Sequence, residues 1–191
     1  MKKYVLLICL VSLLWCAPYV YAAPVVWTVN GHYYDVVSAS ITWDDAKKEA
    51  ETLEYNGISG KLVTIESAAE NLFLTDAFIT QPQVDLLNVK WIGGYQEDGA
   101  AEPAGGWKWI GGTDIVFDNW AGPGEPNNGG GTEDRIVFDH GITAEGQQWN
   151  DLTGTWEARG YVVEYESAPV PEPSMIALLG LSFAGFFYSK R

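Results

Sequence analysis

The sequence predicts an α+β fold in which two helices come early and short strands follow. Apolar residues recur at helical spacing after Thr42 and again after Ser67. From Lys90 onward, short strand-like runs alternate with segments rich in Gly and Pro. Residues 111–133 fit neither pattern, and an irregular segment of that length inside a compact domain is usually functional or disordered.

The first part of the chain predicts a hairpin followed by a helix. Residues 25–37 alternate apolar and polar side chains around Asn30-Gly31, which is typical of paired strand segments. Thr42 is a predicted N-cap, because its hydroxyl can accept an unpaired backbone N–H and Asp45 stands three residues on. We expect this first helix to end near Asn56-Gly57.

The second helix and the remaining strands follow in order. Ser67 and Glu70 form a predicted capping box that begins the helix. Its apolar face is expected from Leu72, Phe73, Ala77 and Phe78, and the helical pattern fails beyond about Ile79. Strands are predicted at residues 61–65, 90–94, 107–110, 135–138, 147–149 and 161–165.

The charge balance narrows the class of partner. The chain has 11 Lys and Arg against 25 Asp and Glu, which gives a formal net charge of −14. A nucleic-acid-binding surface needs clustered Lys and Arg, so nucleic acid is not an expected partner. Calcium, polyols and sugars are all compatible with this composition.

Residues 1–22 predict a secretory signal peptide. Lys2-Lys3 gives a basic start, residues 4–15 form an apolar run, and Val20-Tyr21-Ala22 supplies a cleavage site with small residues. The mature domain is therefore expected to occupy residues 23–168.

Residues 169–191 predict a second sorting signal. Val170-Pro171-Glu172-Pro173-Ser174 precedes an apolar run at residues 175–188, and Lys190-Arg191 ends the chain. The run is shorter than the roughly 20 residues that a spanning helix needs, so we expect only transient membrane contact. The order of these features resembles the PEP-CTERM signal of Gram-negative bacteria. That resemblance implies processing by an exosortase and delivery to the cell surface or the exopolysaccharide matrix.

The irregular segment ends in a stretch that concentrates oxygen ligands. Residues 124–134 read GEPNNGGGTED, and Trp149-Asn150-Asp151 follows further on. Carboxylate and amide oxygens gathered in a Gly-rich and Pro-rich loop are the ligands that proteins use for Ca²⁺. The sequence therefore predicts a calcium site here.

The chain resembles a C-type lectin-like domain across roughly residues 25–166. The motifs that carry the resemblance occur in this order: Thr42-Trp43, residues 62–67, Glu70-Asn71, Trp91-Ile92-Gly93, Asn119-Trp120, Glu125-Pro126-Asn127, Trp149-Asn150-Asp151 and residues 161–165. The resemblance implies two helices, small antiparallel sheets and a long calcium-binding loop carried by the upper sheet.

The resemblance places the principal calcium site on Glu125, Asn127, Glu133, Asn150 and Asp151. All of these except Asp151 are also implied to bind carbohydrate. Two vicinal hydroxyls would complete the calcium shell, while carboxylates accept hydrogen bonds from the sugar and amides donate them. Three of the ligands are carboxylates that repel one another, so we expect the site to order when the cation enters.

The order Glu125-Pro126-Asn127 resembles the mannose-type arrangement of the family. It implies a preference for equatorial hydroxyl pairs, as in mannose, glucose, fucose or N-acetylglucosamine, over galactose. We also expect a cis bond before Pro126, because X-Pro is the only place where the cis isomer costs little.

One departure from the family concerns its disulfides. By alignment, the usual four cysteine positions fall at Ala50, Val163, Arg135 and Gly154. The two cysteines of the chain, Cys9 and Cys16, lie in the predicted signal peptide, so the mature chain is expected to have no disulfide. Because each lost cross-link typically costs about 2–4 kcal/mol, denser packing and bound calcium would have to substitute.

Several other residues are weaker candidates for binding a metal ion or a sugar. Asp134 matches one position of the family's auxiliary calcium site, but its neighbour there is Asn128 and the upstream ligands would come from residues 96–98. His32 and His140 stand alone in the sequence, so zinc is not expected. Most of the tryptophans Trp91, Trp107, Trp109, Trp120 and Trp149 are expected in the core rather than against a sugar ring.

The sequence is also compatible with two other functions. Glu125 and Glu133 could act as the carboxylate pair of a glycosidase. However, no nucleophile with a partnered base is visible, so a protein without enzymatic activity is expected. Alternatively, the domain could use calcium only for folding and bind protein in an adhesive or structural matrix.

Overall fold

The computed structural model describes residues 23–78 and 88–166, except for the side chain of residue 140. The predicted signal peptide at residues 1–22 and the predicted sorting signal at residues 169–191 lie outside the described residues.

Within those two ranges the chain forms nine strands and two helices. The strands are β1 Val25–Val26, β2 Tyr33–Ile41, β3 Glu54–Tyr55, β4 Ile58–Leu62, β5 Lys90–Gln96, β6 Trp107–Trp109, β7 Arg135–Thr143, β8 Gly146–Leu152 and β9 Ala158–Tyr165. The helices are α1 Trp43–Thr52 and α2 Ala68–Phe78. None of the helices in the described ranges is long and apolar enough to cross a membrane.

The strands join into one mixed sheet. Its main path runs β1-β2-β9-β5-β7-β8, with β4 also on β9, β3 on β4 and β6 on β5. Strands β5 and β9 are parallel where Trp91 lies opposite Tyr161, and the other pairings are antiparallel. The α+β class with two helices that the sequence predicts is confirmed.

The beginning of α1 is predicted correctly, but its end is not. The Thr42 hydroxyl accepts a hydrogen bond from the Asp45 backbone N–H at 3.4 Å, as an N-cap does. The helix ends at Thr52 rather than near Asn56-Gly57. Asn56 and Gly57 instead have φ values of 52° and 79° and form the two-residue turn between β3 and β4. Asn-Gly is a typical hairpin turn because both central residues need positive φ.

Helix α2 begins as predicted, although its buried face differs. The Ser67 hydroxyl accepts the Glu70 N–H at 3.2 Å, while the Glu70 carboxylate reaches back to the Glu66 N–H at 2.9 Å. The buried side chains are Glu70, Asn71, Leu74, Thr75 and Phe78. Leu72 is 37% exposed, so its assignment to the apolar face is wrong. Polar Asn71 takes an inward position because its amide donates to two carbonyls at the start of β8.

Strands β5, β6 and β9 lie close to their predicted positions, and three others shift. The strand predicted at residues 61–65 lies earlier, at β4, where it pairs with β3. Strand β7 runs on to Thr143, and β8 extends to Leu152. Asn150 and Asp151 therefore belong to a paired strand, opposite Val137 and Ile136, and not to a loop.

The core combines aliphatic side chains with tryptophans, several of which have hydrogen-bonded indole N–H groups. Trp91 and Trp149 are fully buried, and Trp107 and Trp109 nearly so, which confirms their predicted core position. The Trp91 indole N–H donates to the Ile41 carbonyl at 2.9 Å, and that of Trp149 donates to the Asn71 side chain at 3.0 Å. Since Trp149 directly precedes Asn150, the core fixes the strand that carries two predicted ligands.

Candidate calcium-binding loop

The irregular segment between β6 and β7 is attached along β8. The Asn119 carbonyl accepts the Trp149 N–H at 2.9 Å, and the Ala121 N–H donates to the Trp149 carbonyl at 2.8 Å. Phe117 and Trp120 pack their rings against the Trp149 indole. These contacts hold the loop beside the strand that carries Asn150 and Asp151.

The Asp151 carboxylate connects this strand to the tip of the loop. Its Oδ1 accepts the Asn127 N–H at 3.0 Å, and its Oδ2 accepts the Asn128 N–H at 2.8 Å. The side chain is fully buried. Of the predicted ligands, Asp151 thus has a clear structural role in positioning the backbone that carries Asn127.

A second set of hydrogen bonds holds the Gly-rich turn. The Glu133 Oε2 accepts the Gly129 N–H at 2.6 Å, and the Glu133 N–H donates to the Asn128 side-chain oxygen at 3.1 Å. Asn128 itself has a left-handed backbone, with φ of 49°. The expected repulsion between carboxylates is therefore offset in part by N–H donors of the loop. This role of Asn128 is not predicted from the sequence, although Asn tolerates positive φ and often forms hydrogen bonds with nearby backbone.

Two predicted ligand atoms converge on Gly129. A Cβ atom placed on Gly129 would lie 2.9 Å from the Glu133 Oε2 and 3.0 Å from the Asn127 Oδ1. Both oxygens therefore lie on the side of the loop that a Gly129 side chain would occupy, and the Glu133 Oε2 lies there while it accepts the Gly129 N–H. An amide oxygen and a carboxylate oxygen on one side of a loop are ligand types that a hard cation takes.

Asn150 supplies a further oxygen. The residue is 9% exposed, and within the described ranges its Oδ1 is buried without a hydrogen-bond partner. A buried acceptor in this condition carries a free-energy cost of about 1–3 kcal/mol. A cation ligated by this atom would remove that cost, so the donor set fits a hard cation such as Ca²⁺.

The remaining ligand, Glu125, is half-buried, and the peptide bond between Glu125 and Pro126 is cis, as predicted. In the part of the chain that the structure describes, the carboxylates of Glu125, Glu133 and Asp151 do not all lie within 4.8 Å of one another. Both oxygens of Asp151 instead accept loop backbone N–H groups.

Burial and charge favour the neutral form of Glu133. Burial raises the pKa of the Glu133 carboxyl, the Gly129 N–H opposes that rise, and the charge of Asp151 adds to it. A cation beside this carboxylate would act in the opposite direction and favour its ionised form. A positive charge bound at the loop would therefore stabilise the ionised form of Glu133.

The Asp134 carboxylate differs from the five predicted ligands because it contacts Arg135 and Gly154. Its Oδ2 lies 2.9 Å from the Arg135 Nη1, and its Oδ1 accepts the Gly154 N–H at 3.1 Å. A guanidinium thus already neutralises this carboxylate. The nearby Gln96 amide donates to the carbonyls of Pro103 and Gly105.

A second polar cluster, distant in the sequence from the loop residues, was missed by sequence reasoning. The His32 Nδ1 lies 2.7 Å from the Glu164 Oε1, and Lys61 forms ion pairs with Glu164 and Glu166. His32, Glu164 and Glu166 bring potential metal-ligand atoms within 4.8 Å of one another. His32 is therefore not isolated, but its contact with Glu164 spans 132 residues and has no signal in local spacing.

Comparisons with known proteins agree with this architecture. The domain is similar to the C-type lectin CEL-I from Cucumaria echinata, with 27% identity, a TM-score of 0.55, and coverage of 70% of this chain and 89% of that one. It is also similar to the cow C-type carbohydrate-recognition domain of CD23, described in the presence of a GlcNAc2Man3 oligosaccharide, with 26% identity, a TM-score of 0.55, and coverage of 72% and 89%.

Two curated relatives share sequence with the chain. Halomucin from Haloquadratum walsbyi is 31% identical over 151 residues, which is 71% of this chain and 1% of halomucin. Ladderlectin from Oncorhynchus mykiss is 29% identical over 116 residues, which is 61% of this chain and 53% of ladderlectin. The chain therefore spans a very small part of one relative and about half of the other.

The fold is that of C-type lectin domains, and the sequence is homologous to theirs. Residues 169–191 match the family described as the PEP-CTERM protein-sorting motif. The chain thus carries a domain homologous to C-type lectins and ends in a PEP-CTERM motif, which indicates export and sorting to the cell surface.

Proposed function

We propose that the protein binds carbohydrate through calcium at the cell surface, or in the exopolysaccharide matrix, of a Gram-negative bacterium, and has no enzymatic activity. The observation that carries the proposal is the buried Asn150 Oδ1, which has no hydrogen-bond partner among the described residues, on the strand beside the loop that carries Asn127 and Glu133. Side-chain oxygens in a Gly-rich loop are the ligands that Ca²⁺ selects.

Each site residue has a separate task in this proposal. Glu125, Asn127, Glu133 and Asn150 hold the cation and also contact the sugar, whereas Asp151 adds a ligand and fixes the loop backbone. Bound calcium supplies a Lewis-acid centre to which two vicinal hydroxyls coordinate. The carboxylates then accept hydrogen bonds from those hydroxyls, and the Asn127 and Asn150 amides donate to them.

Mannose-type or glucose-type specificity is supported by the order Glu125-Pro126-Asn127. The similar cow CD23 domain, described in the presence of a GlcNAc2Man3 oligosaccharide, is consistent with this class of ligand for the fold. The exact saccharide follows from contacts beyond the calcium shell. A single open site of this kind binds weakly, so avidity would come from many copies on one surface.

The path to that surface follows from the two ends of the chain. We propose that residues 1–22 are removed as a signal peptide, that residues 23–168 form the mature domain, and that an exosortase processes the motif at residues 169–191. Membrane contact is then transient. Loss of Lys2, Lys3, Lys190 and Arg191 leaves a more acidic protein, which disfavours nucleic acid as a partner.

Binding to a glycan array, with calcium and then with chelator, tests the proposal. We expect mannose-type or glucose-type signals that disappear with chelator and with the double variant Glu125→Gln, Asn127→Asp. Glu145→Gln, an exposed carboxylate in the turn between β7 and β8, is the matched control and should bind normally.

Three results would contradict the proposal. Binding that persists in chelator would exclude the calcium mechanism, and folded protein without any glycan signal would favour an adhesive role toward protein. Release of reducing sugar from a polysaccharide would instead indicate a glycosidase.

A further inference from the structure

The base of the loop is held by a set of contacts centred on Arg135. This residue is the first of β7 and stands two positions after the proposed ligand Glu133. Its guanidinium carbon lies 4.7 Å from the centre of the Trp43 ring, in the geometry of a cation–π contact. The Trp43 indole is itself fixed, because it is buried and its N–H donates to the Ile92 carbonyl at 2.8 Å.

The same arginine closes a ring of polar contacts. Its Nη1 donates to the Asp134 carbonyl at 2.9 Å and pairs with the Asp134 Oδ2 at 2.9 Å. The Asp134 Oδ1 accepts the Gly154 N–H at 3.1 Å, and the Gly154 carbonyl accepts the Trp43 N–H at 3.1 Å. We call these four residues, Trp43, Asp134, Arg135 and Gly154, the Arg135 clamp.

The clamp joins the two chain segments that carry proposed ligands. Asp134 and Arg135 follow Glu133 directly, and Gly154 comes three residues after Asp151. The segments are also paired at this point, since the Asp134 N–H donates to the Leu152 carbonyl at 3.2 Å. A change in the clamp would therefore displace both Glu133 and Asp151, because each lies on one of the two segments that the clamp joins.

The clamp occupies the place of a family cross-link. Alignment put cysteine positions at Arg135 and Gly154, and a Cβ atom on Gly154 would lie 2.9 Å from the Arg135 Cγ. The other two positions, Ala50 and Val163, are fully buried in one apolar cluster, and a Cβ atom on Gly60 would meet the Ala50 carbonyl and the Val163 side chain. One disulfide is thus replaced by packing and the other by a charged contact.

We propose that Arg135 is a positioning residue for the loop: it holds Glu133 and Asp151 at the spacing that calcium binding requires. This inference rests on the proposed function of the loop as a calcium site. Arg135 would act on the residues that bind the cation and not on the cation itself. Loss of a residue that orients metal ligands typically weakens metal affinity by about 10–100-fold.

The test compares Arg135→Met with Arg159→Met, a change of the exposed arginine on β9. Methionine keeps an apolar stem against Trp43 but removes the guanidinium. Calorimetric titration should show calcium affinity reduced by about tenfold or more for Arg135→Met and unchanged for Arg159→Met. Arg135→Lys, which keeps the charge over the ring, should recover part of the loss.

A second readout does not depend on calcium. Amide hydrogen exchange, measured in chelator, should become faster at Asn127 and Asn128 in Arg135→Met, while amides of β5 and β9 stay protected. If wild-type protein binds no calcium, the proposed function fails, but this exchange result still decides whether the clamp orders the loop. Unchanged exchange at Asn127 and Asn128 in folded Arg135→Met would overturn the inference.

A covalent replacement keeps the test valid if Arg135→Met does not fold. The double variant Arg135→Cys, Gly154→Cys can be studied oxidised and then reduced in one sample. The oxidised form should show slow exchange at Asn127 and Asn128, and the reduced form fast exchange. Equal protection in both forms would contradict the proposed role of the cross-link position.

Discussion

The His32 Nδ1 lies 2.7 Å from the Glu164 Oε1 and joins the start of β2 to β9 through an ion pair. The hydrogen bond that the His32 ring donates to the Glu164 carboxylate raises the pKa of His32 above its ordinary 6.5, although burial opposes the rise. For Glu164, burial acts to raise the pKa, but the His32 hydrogen bond and the Lys61 charge lower it below its ordinary 4.5. Glu166, Glu70 and Tyr34 also face this cluster.

The shifts of this pair predict a pH dependence of stability with a definite sign. The contribution of His32 is complete below pH 6.5 and is lost as the pH rises through its higher folded pKa. The contribution of Glu164 is present above pH 4.5 and is lost as the pH falls through its lower folded pKa. The His32–Glu164 pair therefore stabilises the fold most between pH 4.5 and pH 6.5, where both contributions are complete.

The His32 prediction is tested by thermal unfolding at several pH values. Because the His32 ring is partly exposed, we expect the free energy of unfolding to fall by on the order of 1 kcal/mol as the pH rises above neutrality. His32→Gln should remove most of this slope. An identical slope in wild type and His32→Gln would contradict the assignment.

Removal of one buried hydroxyl should destabilise the fold. The Tyr34 hydroxyl donates to the Glu70 Oε1 at 2.6 Å and accepts from the Asn30 amide at 2.8 Å. Tyr34→Phe leaves the buried Glu70 without this donor, so we expect a loss of about 1–3 kcal/mol in urea unfolding. Tyr33→Phe, one residue earlier on β2 and only half-buried, should change stability by much less. Equal losses for the two variants would refute the argument.

Asp151→Asn should weaken calcium binding through the loop backbone. The carboxylate accepts N–H groups from both Asn127 and Asn128, and an amide has only one acceptor oxygen for them. We expect at least about tenfold lower calcium affinity by calorimetry, of the size known for residues that orient ligands. Asp76→Asn, an exposed change on α2, is the control. Wild-type affinity in Asp151→Asn would exclude a role for this residue.

Gly129→Ala tests the convergence of two ligand oxygens. The added methyl group would lie 2.9 Å from the Glu133 Oε2 and 3.0 Å from the Asn127 Oδ1, so these side chains must separate. Calcium affinity should fall about tenfold or more, while the melting temperature in chelator changes little because the turn is exposed. Gly124→Ala has open space around its Cβ and should bind calcium normally. Equal affinities in the two alanine variants would show that the oxygens do not share a cation.

Local chemistry explains what the sequence predicted well. Thr42 caps α1 and Ser67 caps α2, because capping depends on neighbours within four residues. The predicted end of α1 is wrong because Asn56-Gly57 forms a hairpin turn, and the same residue pair is also compatible with a helix terminus. The motifs that carry the resemblance to C-type lectin-like domains were sufficient to predict the fold class, because each motif lies in a different element of the fold.

Long-range contacts explain what the sequence could not predict. The five candidate ligands were chosen by resemblance, but the use of the Asp151 carboxylate on two backbone N–H groups depends on how β8 meets the loop. In the same way, the contact of Arg135 with Trp43 spans most of the domain in sequence. No periodicity or spacing encodes such pairs, because tertiary packing determines them.

The most direct test of the proposed function follows the side-chain amide resonances of Asn127 and Asn150 by NMR during titration with methyl α-mannoside. If both amides donate to a sugar that also ligates calcium, their resonances should shift when calcium and mannoside are present together. With mannoside in chelator, neither resonance should move. Shifts that occur equally in chelator, or calcium-loaded protein in which saturating mannoside moves neither amide, would contradict calcium-dependent sugar binding at this loop.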